Sequence, residues 1–198
     1  MNLIAKMEEY SQRRREEKSE KIRMKNLKTG KKPTKGWGKM VDMRDEGNDM
    51  EVIANWVEQN KLNLQHWLFS TDLTHFVKGG RISKTSGFVG NLLNICPLIT
   101  VTAEGKLLPL KKVRTKRKVI ETIVAQMEYL ATNGNNYAEK CYICHSGCKE
   151  DAKKVAEMIK ERFPRLKGKP EIFNIGPAIG CHSGPGTVGV FFWGQTRA

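Results

Sequence analysis

CYICHSGCKEDAKKVAEMIKERF, residues 141–163, reads as a strand that turns into a helix, and that reading decides the fold. Its first eight residues hold three of the chain's five cysteines and one of its four histidines. They also contain C-x-x-C-H, the pattern that attaches a c-type haem. Side chains along a strand alternate between its two faces. Cys141, Ile143 and His145 then point one way, and Tyr142 and Cys144 the other. The two cysteines of the pair diverge, which defeats chelation. A zinc finger needs a second ligand pair at suitable spacing, and Cys181–His182 is remote in sequence. We read a strand, with no haem, metal or other cofactor, followed by the helix-like KEDAKKVAEMIKERF.

Working outward from this unit, the chain alternates between helix and strand patterns. NDMEVIANWVEQ (48–59) opens on a capping Asn-Asp pair and sets Met50, Ile53, Ala54 and Val57 at helical spacing. KLNLQHWLFS (61–70) alternates as a strand, with Leu62, Leu64, His66 and Leu68 on one face. TDLTHFVK (71–78) is a short helix ending at Gly79-Gly80, and SKTSGFVGNLLN (83–94) reads as another helix. PLITVT and KLLPLKKV form a hairpin turned at Gly105. TKRKVIETIVAQMEYLATNG (115–134) is an amphipathic helix with Val119, Ile120, Ile123, Val124 and Met127 inward. EIFNIG and TVGVFFW are the last two strands, joined by a PAIGCHSGPG loop (177–186). Six strands interspersed with helices, one pair being a hairpin, predict an α/β two-layer sandwich on a six-stranded mixed sheet.

Charge divides the chain. Residues 1–39 carry thirteen Lys and Arg against five Glu, a net of +8 out of +14 for all 198 residues. This stretch is too polar to bury a face and reads as a basic, disordered or loosely helical tail ahead of a globular lobe over 40–198. A basic arm suits nucleic acid or an acidic partner, the alternative function for this chain. No apolar run is long enough to span a bilayer and no secretory signal opens the sequence. Five cysteines, an odd number, fit a reducing cytoplasm with free thiols.

Three segments suit an anion. GGRISK (79–84) places Arg81 after two flexible residues. GCHSGPGTVG (180–189) places His182 and Ser183 in a Gly/Pro loop whose backbone N–H groups can cradle a negative group. Neither matches a phosphate-binding loop, and Gly and Pro mark turns first. KVRTKRK (112–118) brings Arg114 and further cations to a helix start, where positive charge is unfavourable; the mismatch hints at an anionic partner. No acid pair, metal cluster or Ser–His–Asp order emerges, so an enzyme is not expected.

FSTDLTHFVKGGRISKTSGFVGNLLNICPLI, KVRTKRK, CYICHSGCKEDAKKVAEMIKERF and IGCHSGPGTVGVFF, in that order, closely resemble the carboxy-terminal half of the DegV family, from about Val41 to Trp193. The resemblance implies a two-layer α/β lobe with a six-stranded mixed sheet. It also implies a non-enzymatic protein binding a long-chain fatty acid and presenting it to a fatty acid kinase for acyl-phosphate formation in phospholipid synthesis. By the same resemblance His182, in G-x-H-x-G-P-G with Ser183 beside it, joins the network at the ligand carboxylate. Arg81 and Arg114 then belong to the carboxylate-side surface where the kinase docks. Apolar residues around Phe69 and in Phe88–Leu93, Leu92 among them, would line the acyl tunnel. The family's first lobe, with its D-S-[TA] strand, finds no match. We expect a truncated chain, a frameshifted gene or a genuine half-protein, with binding impaired.

Overall fold

The computed structural model describes residues 38–83 and 95–197. The basic tail 1–39, except its last two residues, and the helix expected over 83–94, except Ser83, lie outside the described residues, Phe88 and Leu92 among them. The described chain falls into two compact units, one ending at Val57 and the other running from Glu58.

The first unit holds helix α1 (Gly38–Asp45) and most of helix α2 (Met50–Asn60). The apolar spacing had not foreseen α1. Gly47, at φ +89°, turns the chain after it, and Asn48 Nδ2 donates to the Met43 carbonyl at 2.9 Å. Helix α2 begins where the Asn-Asp signal places it. Its half-buried stripe is Ile53, Trp56 and Val57, while Met50 and Ala54 are exposed, so the stripe starts one turn later than the sequence spacing suggests.

The second unit contains strands β1 (Leu64–Phe69), β2 (Ile95–Val101), β3 (Leu107–Arg114), β4 (Tyr142–Ser146), β5 (Glu171–Asn174) and β6 (Thr187–Trp193). Its helices are α3 (Thr74–Lys78), α4 (Lys116–Leu130), α5 (Lys149–Arg162) and α6 (Pro177–Ser183). The sheet has six strands in the order β3-β2-β1-β6-β4-β5. All neighbours are antiparallel except β4 and β5, which are parallel. That parallel pair needs a crossover, and α5 supplies it. The expected mixed α/β sheet is therefore present.

Local chemistry accounts for these elements. Gly105, at φ +78°, makes the β2–β3 turn, and the Thr102 N–H donates to the Lys106 carbonyl at 2.9 Å. The five inward residues expected on α4 are all buried. Helix α5 carries Glu150 and Asp151 in its first turn and Lys160 and Arg162 in its last, matching its dipole at both ends. It buries Ala152, Val155 and Ile159. These helices pack on one sheet face against Trp67, Phe69, Leu98, Val113, Ile143, Val188, Val190 and Phe192. A fully buried side chain of this size contributes about 1.5–3 kcal/mol, so this layer holds the lobe together. Leu73, Phe76, Ile82 and Ile99 form a second, smaller cluster that seats α3.

Strand β1 alternates as predicted, yet its buried face is Gln65, Trp67 and Phe69; Leu64, His66 and Leu68 are only half-buried. The larger correction concerns 177–186. Pro177–Ser183 is a helix with Pro at its first position, and only Gly184–Gly186 remains as loop.

Candidate functional site

Strand register gathers the anion-suited segments at one end of the sheet. Phe69 pairs with Val188 of β6, Ser146 with Thr187, and Ile95 with Arg114. Ser70, Ser146, Thr187 and Arg114 therefore share that end. The first turns of α4 and α5 begin directly after it, at Lys116 and Lys149.

Three glycines let the chain close tightly here. At Gly79 an added Cβ would lie 2.6 Å from His182 Nδ1. At Gly184, φ +69°, it would lie 2.5 Å from His75 Cδ2. At Gly186, φ +81°, it would collide with Thr71 Oγ1. Helices α3 and α6 are thus pressed together, and the His182 ring rests on the Gly79 backbone. Arg81 Nη1 donates to the Gly79 carbonyl at 2.6 Å. His182 and Arg81, singled out separately in sequence, meet on one glycine.

Next to His182 in the chain, Ser183 belongs to a buried hydroxyl cluster. Thr187 Oγ1 is 3.0 Å from Ser70 Oγ and 2.9 Å from the Ser183 carbonyl. Ser70 Oγ donates to the Asp72 carbonyl at 2.8 Å. Ser183 Oγ is buried with no hydrogen-bond partner among the described residues. The positive charge at the start of α4 is partly answered from within. Lys116 Nζ reaches Asp151 Oδ2 at 2.8 Å, and Arg117 Nε reaches Glu121 Oε1 at 3.0 Å. Arg114 itself is exposed.

A family model described as "Uncharacterised protein, DegV family" matches residues 38–195. The chain belongs to the DegV family. A DegV domain-containing protein of Clostridium perfringens is 37% identical over 158 residues, 79% of this chain and 53% of that protein. A fatty acid binding DegV family protein from Streptococcus agalactiae, solved as a crystal structure, is 28% identical with a TM-score of 0.64, over 79% of this chain and 54% of that one. A DegV family protein from Eubacterium eligens loaded with heptadecanoic acid has a TM-score of 0.70 at 20% identity, over 79% of this chain and 55% of that one. The Streptococcus pneumoniae Fatty Acid Kinase (Fak) B3 protein loaded with linoleic acid has a TM-score of 0.69 at 19% identity, over 79% and 54%. The chain spans about half the length of these relatives.

Within this DegV lobe the remaining predicted site residues are spread out. Arg114 ends the outermost strand, three strands from β6, so it shares the sheet end with His182 without sharing its glycine contact. Phe69 is fully buried in the core between the sheet and helices α4 and α5. The other face of the sheet carries half-buried Leu68, Tyr142, Cys144, Phe173 and Phe191, with the Phe191 ring and Cys144 Sγ crowding over Gly189. Sequence reasoning missed Ser70, Thr71, His75 and Thr187. A hydroxyl set directly at the end of an apolar strand, as Ser70 follows LQHWLF and Thr187 opens TVGVFFW, was the available signal.

The cysteines lie as the strand reading requires. Cys141 is buried, while Cys144 faces the opposite side of β4. Burial pushes the Cys144 thiol up to about 11 and Cys141 higher still. Among the described residues no group of three or more His, Cys, Asp and Glu is placed to hold a metal ion. No described helix is long and apolar enough to cross a membrane.

Proposed function

We propose that this DegV chain binds a long-chain fatty acid, with the carboxylate at His182 and the buried hydroxyl of the next residue, Ser183, and offers that end to a fatty acid kinase. The observation that carries the reading is the meeting of His182 and Arg81 on Gly79, with the next residue, Ser183, holding a buried hydroxyl that has no partner among the described residues. An imidazole N–H, a guanidinium and a hydroxyl are the donors a carboxylate requires. The 28% identity to a fatty acid binding DegV protein supports the ligand class. Arg114, exposed at the same end, suits the kinase side of this surface. The chain acts as a carrier, not a catalyst.

Affinity follows from how much of the acyl chain is covered. Burying a methylene contributes about 0.8 kcal/mol, so fourteen give roughly 11 kcal/mol gross. A lobe covering half of them retains about 5–6 kcal/mol before ordering costs, which corresponds to a Kd of about 0.1 mM at best. Titrating delipidated chain with oleate while following histidine ring signals by NMR tests this. The His182 signals should move and saturate around that concentration. Oleyl alcohol, which lacks the carboxylate, should bind about 10-fold or more weakly, the worth of a charge-assisted hydrogen bond. Unmoved His182 signals up to about ten times the expected Kd would refute the reading.

A further inference from the structure

His75 stands outside the proposed binding set, yet it touches both flanks of His182. Its Nδ1 lies 3.4 Å from the carbonyl of Cys181, the residue before His182. Its ring fills the space over Gly184, two residues after His182, so closely that a Cβ there would meet Cδ2 at 2.5 Å and Cγ at 2.8 Å. The contact is reciprocal. His182 from α6 lies against Gly79 at the end of α3, as His75 from α3 lies against Gly184 at the end of α6. Each short helix lodges a histidine on the other's terminal glycine.

Such helices cannot set their own geometry. Helix α3 has five residues, with the Asp72 carboxylate accepting from its first N–H, at Thr74, at 2.8 Å, and α6 has seven with no side-chain cap. Helices far shorter than about 12 residues are unstable alone and take their orientation from tertiary contacts. The direction of His182 therefore depends on what α6 leans on. We infer that His75 is a positioning residue: through the Cys181 carbonyl and the Gly184 backbone it holds α6 so that the His182 ring stays on Gly79, facing the anion. A carbonyl only accepts, so His75 Nδ1 carries the proton in this contact.

The inference rests on the proposed role of His182, and the test separates the two. In the ligand-free 198-residue chain, a nuclear Overhauser contact between the His182 ring and the Gly79 α-protons reports the clasp directly. His75→Ala should lose it, with the melting temperature close to that of the parent. Oleate affinity should fall about 3- to 10-fold, the range for one neutral hydrogen bond. His75→Asn places an amide nitrogen where Nδ1 was and should restore most of both readouts, which a merely space-filling role would not predict. Gly184→Ala, which drives a methyl into the His75 ring, should lose the contact as His75→Ala does. A His182–Gly79 contact that persists in His75→Ala overturns the positioning role, whatever oleate does. Oleate that leaves His182 unmoved in the parent chain overturns the proposed function while the ligand-free contact still decides the role of His75.

Discussion

Ser183 is 3% exposed, yet its Oγ has no hydrogen-bond partner among the described residues. A buried hydroxyl without a partner costs roughly 1–3 kcal/mol in proteins. Its neighbour Thr187 spends its own donor on Ser70 or on the Ser183 carbonyl, leaving the Ser183 hydroxyl unmet. Ser183→Ala should therefore raise the unfolding free energy in urea by about 1 kcal/mol, since it removes a desolvated group and little volume. The same change should weaken oleate binding. A loss of stability of that size would mean that the hydroxyl is already satisfied. The Gly-rich flanks that single out His182, Ser183 and Arg81 in the sequence are also what let His182 and Arg81 meet on Gly79. His75 was not legible in the sequence, because its role exists only once α3 and α6 meet.

At the scale of elements, Thr115 is one of two non-glycine residues with positive φ among the described residues. It sits at φ 74°, ψ 145° just before α4, in a region that favours glycine, while its Oγ1 accepts from the Lys118 N–H at 3.4 Å. Such a backbone costs a β-branched residue on the order of 1–3 kcal/mol. Replacing a capping Thr by Gly loses only a few tenths of a kcal/mol, whereas Ala loses about 1 kcal/mol. Thr115→Gly should thus stabilise the lobe, by about 0.5–1 kcal/mol after glycine's entropy is counted, and Thr115→Ala should destabilise it. Chemical denaturation of the pair checks the sign; two losses would place the strain elsewhere. Long periodic elements such as α4 and the β4–α5 unit were readable because many residues vote for one face. Helix α6 was not, since the seven residues PAIGCHS are too few to carry a period and run into the Gly184–Gly186 turn. Strand β1 hid its inward face because both faces are apolar, and Gln65 lies on the core side, where its Oε1 accepts from Trp67 Nε1 at 3.1 Å.

For the whole lobe, Arg197 ties the ends of separate strands together. Its Nη1 donates to the Val101 and Thr102 carbonyls at 3.1 and 3.0 Å, and its Nη2 to the Lys61 carbonyl at 3.3 Å. Hydrogen bonds from a charged group are worth about 1.5–3 kcal/mol each and do not add fully. Arg197→Gln should therefore cost about 2–3 kcal/mol by the same estimate. Near this guanidinium sits His66, stacked edge-on to Phe191 at 5.3 Å. Burial first, and the Arg197 charge second, lower its pKa from 6.5 to about 4. The folded lobe thus keeps His66 neutral where the unfolded chain would protonate it. The associated stability is fully present above pH 6.5 and is lost as pH falls through about 4. Its size is at most on the order of 3 kcal/mol. His66→Phe keeps an aromatic ring against Phe191 and removes the titrating group. Its unfolding free energy should fall less steeply between pH 6.5 and 4 than that of the parent. His145, also lowered by burial and by Lys149, should leave a residual slope. An unchanged slope in His66→Phe would assign the acid sensitivity of the lobe to groups other than His66.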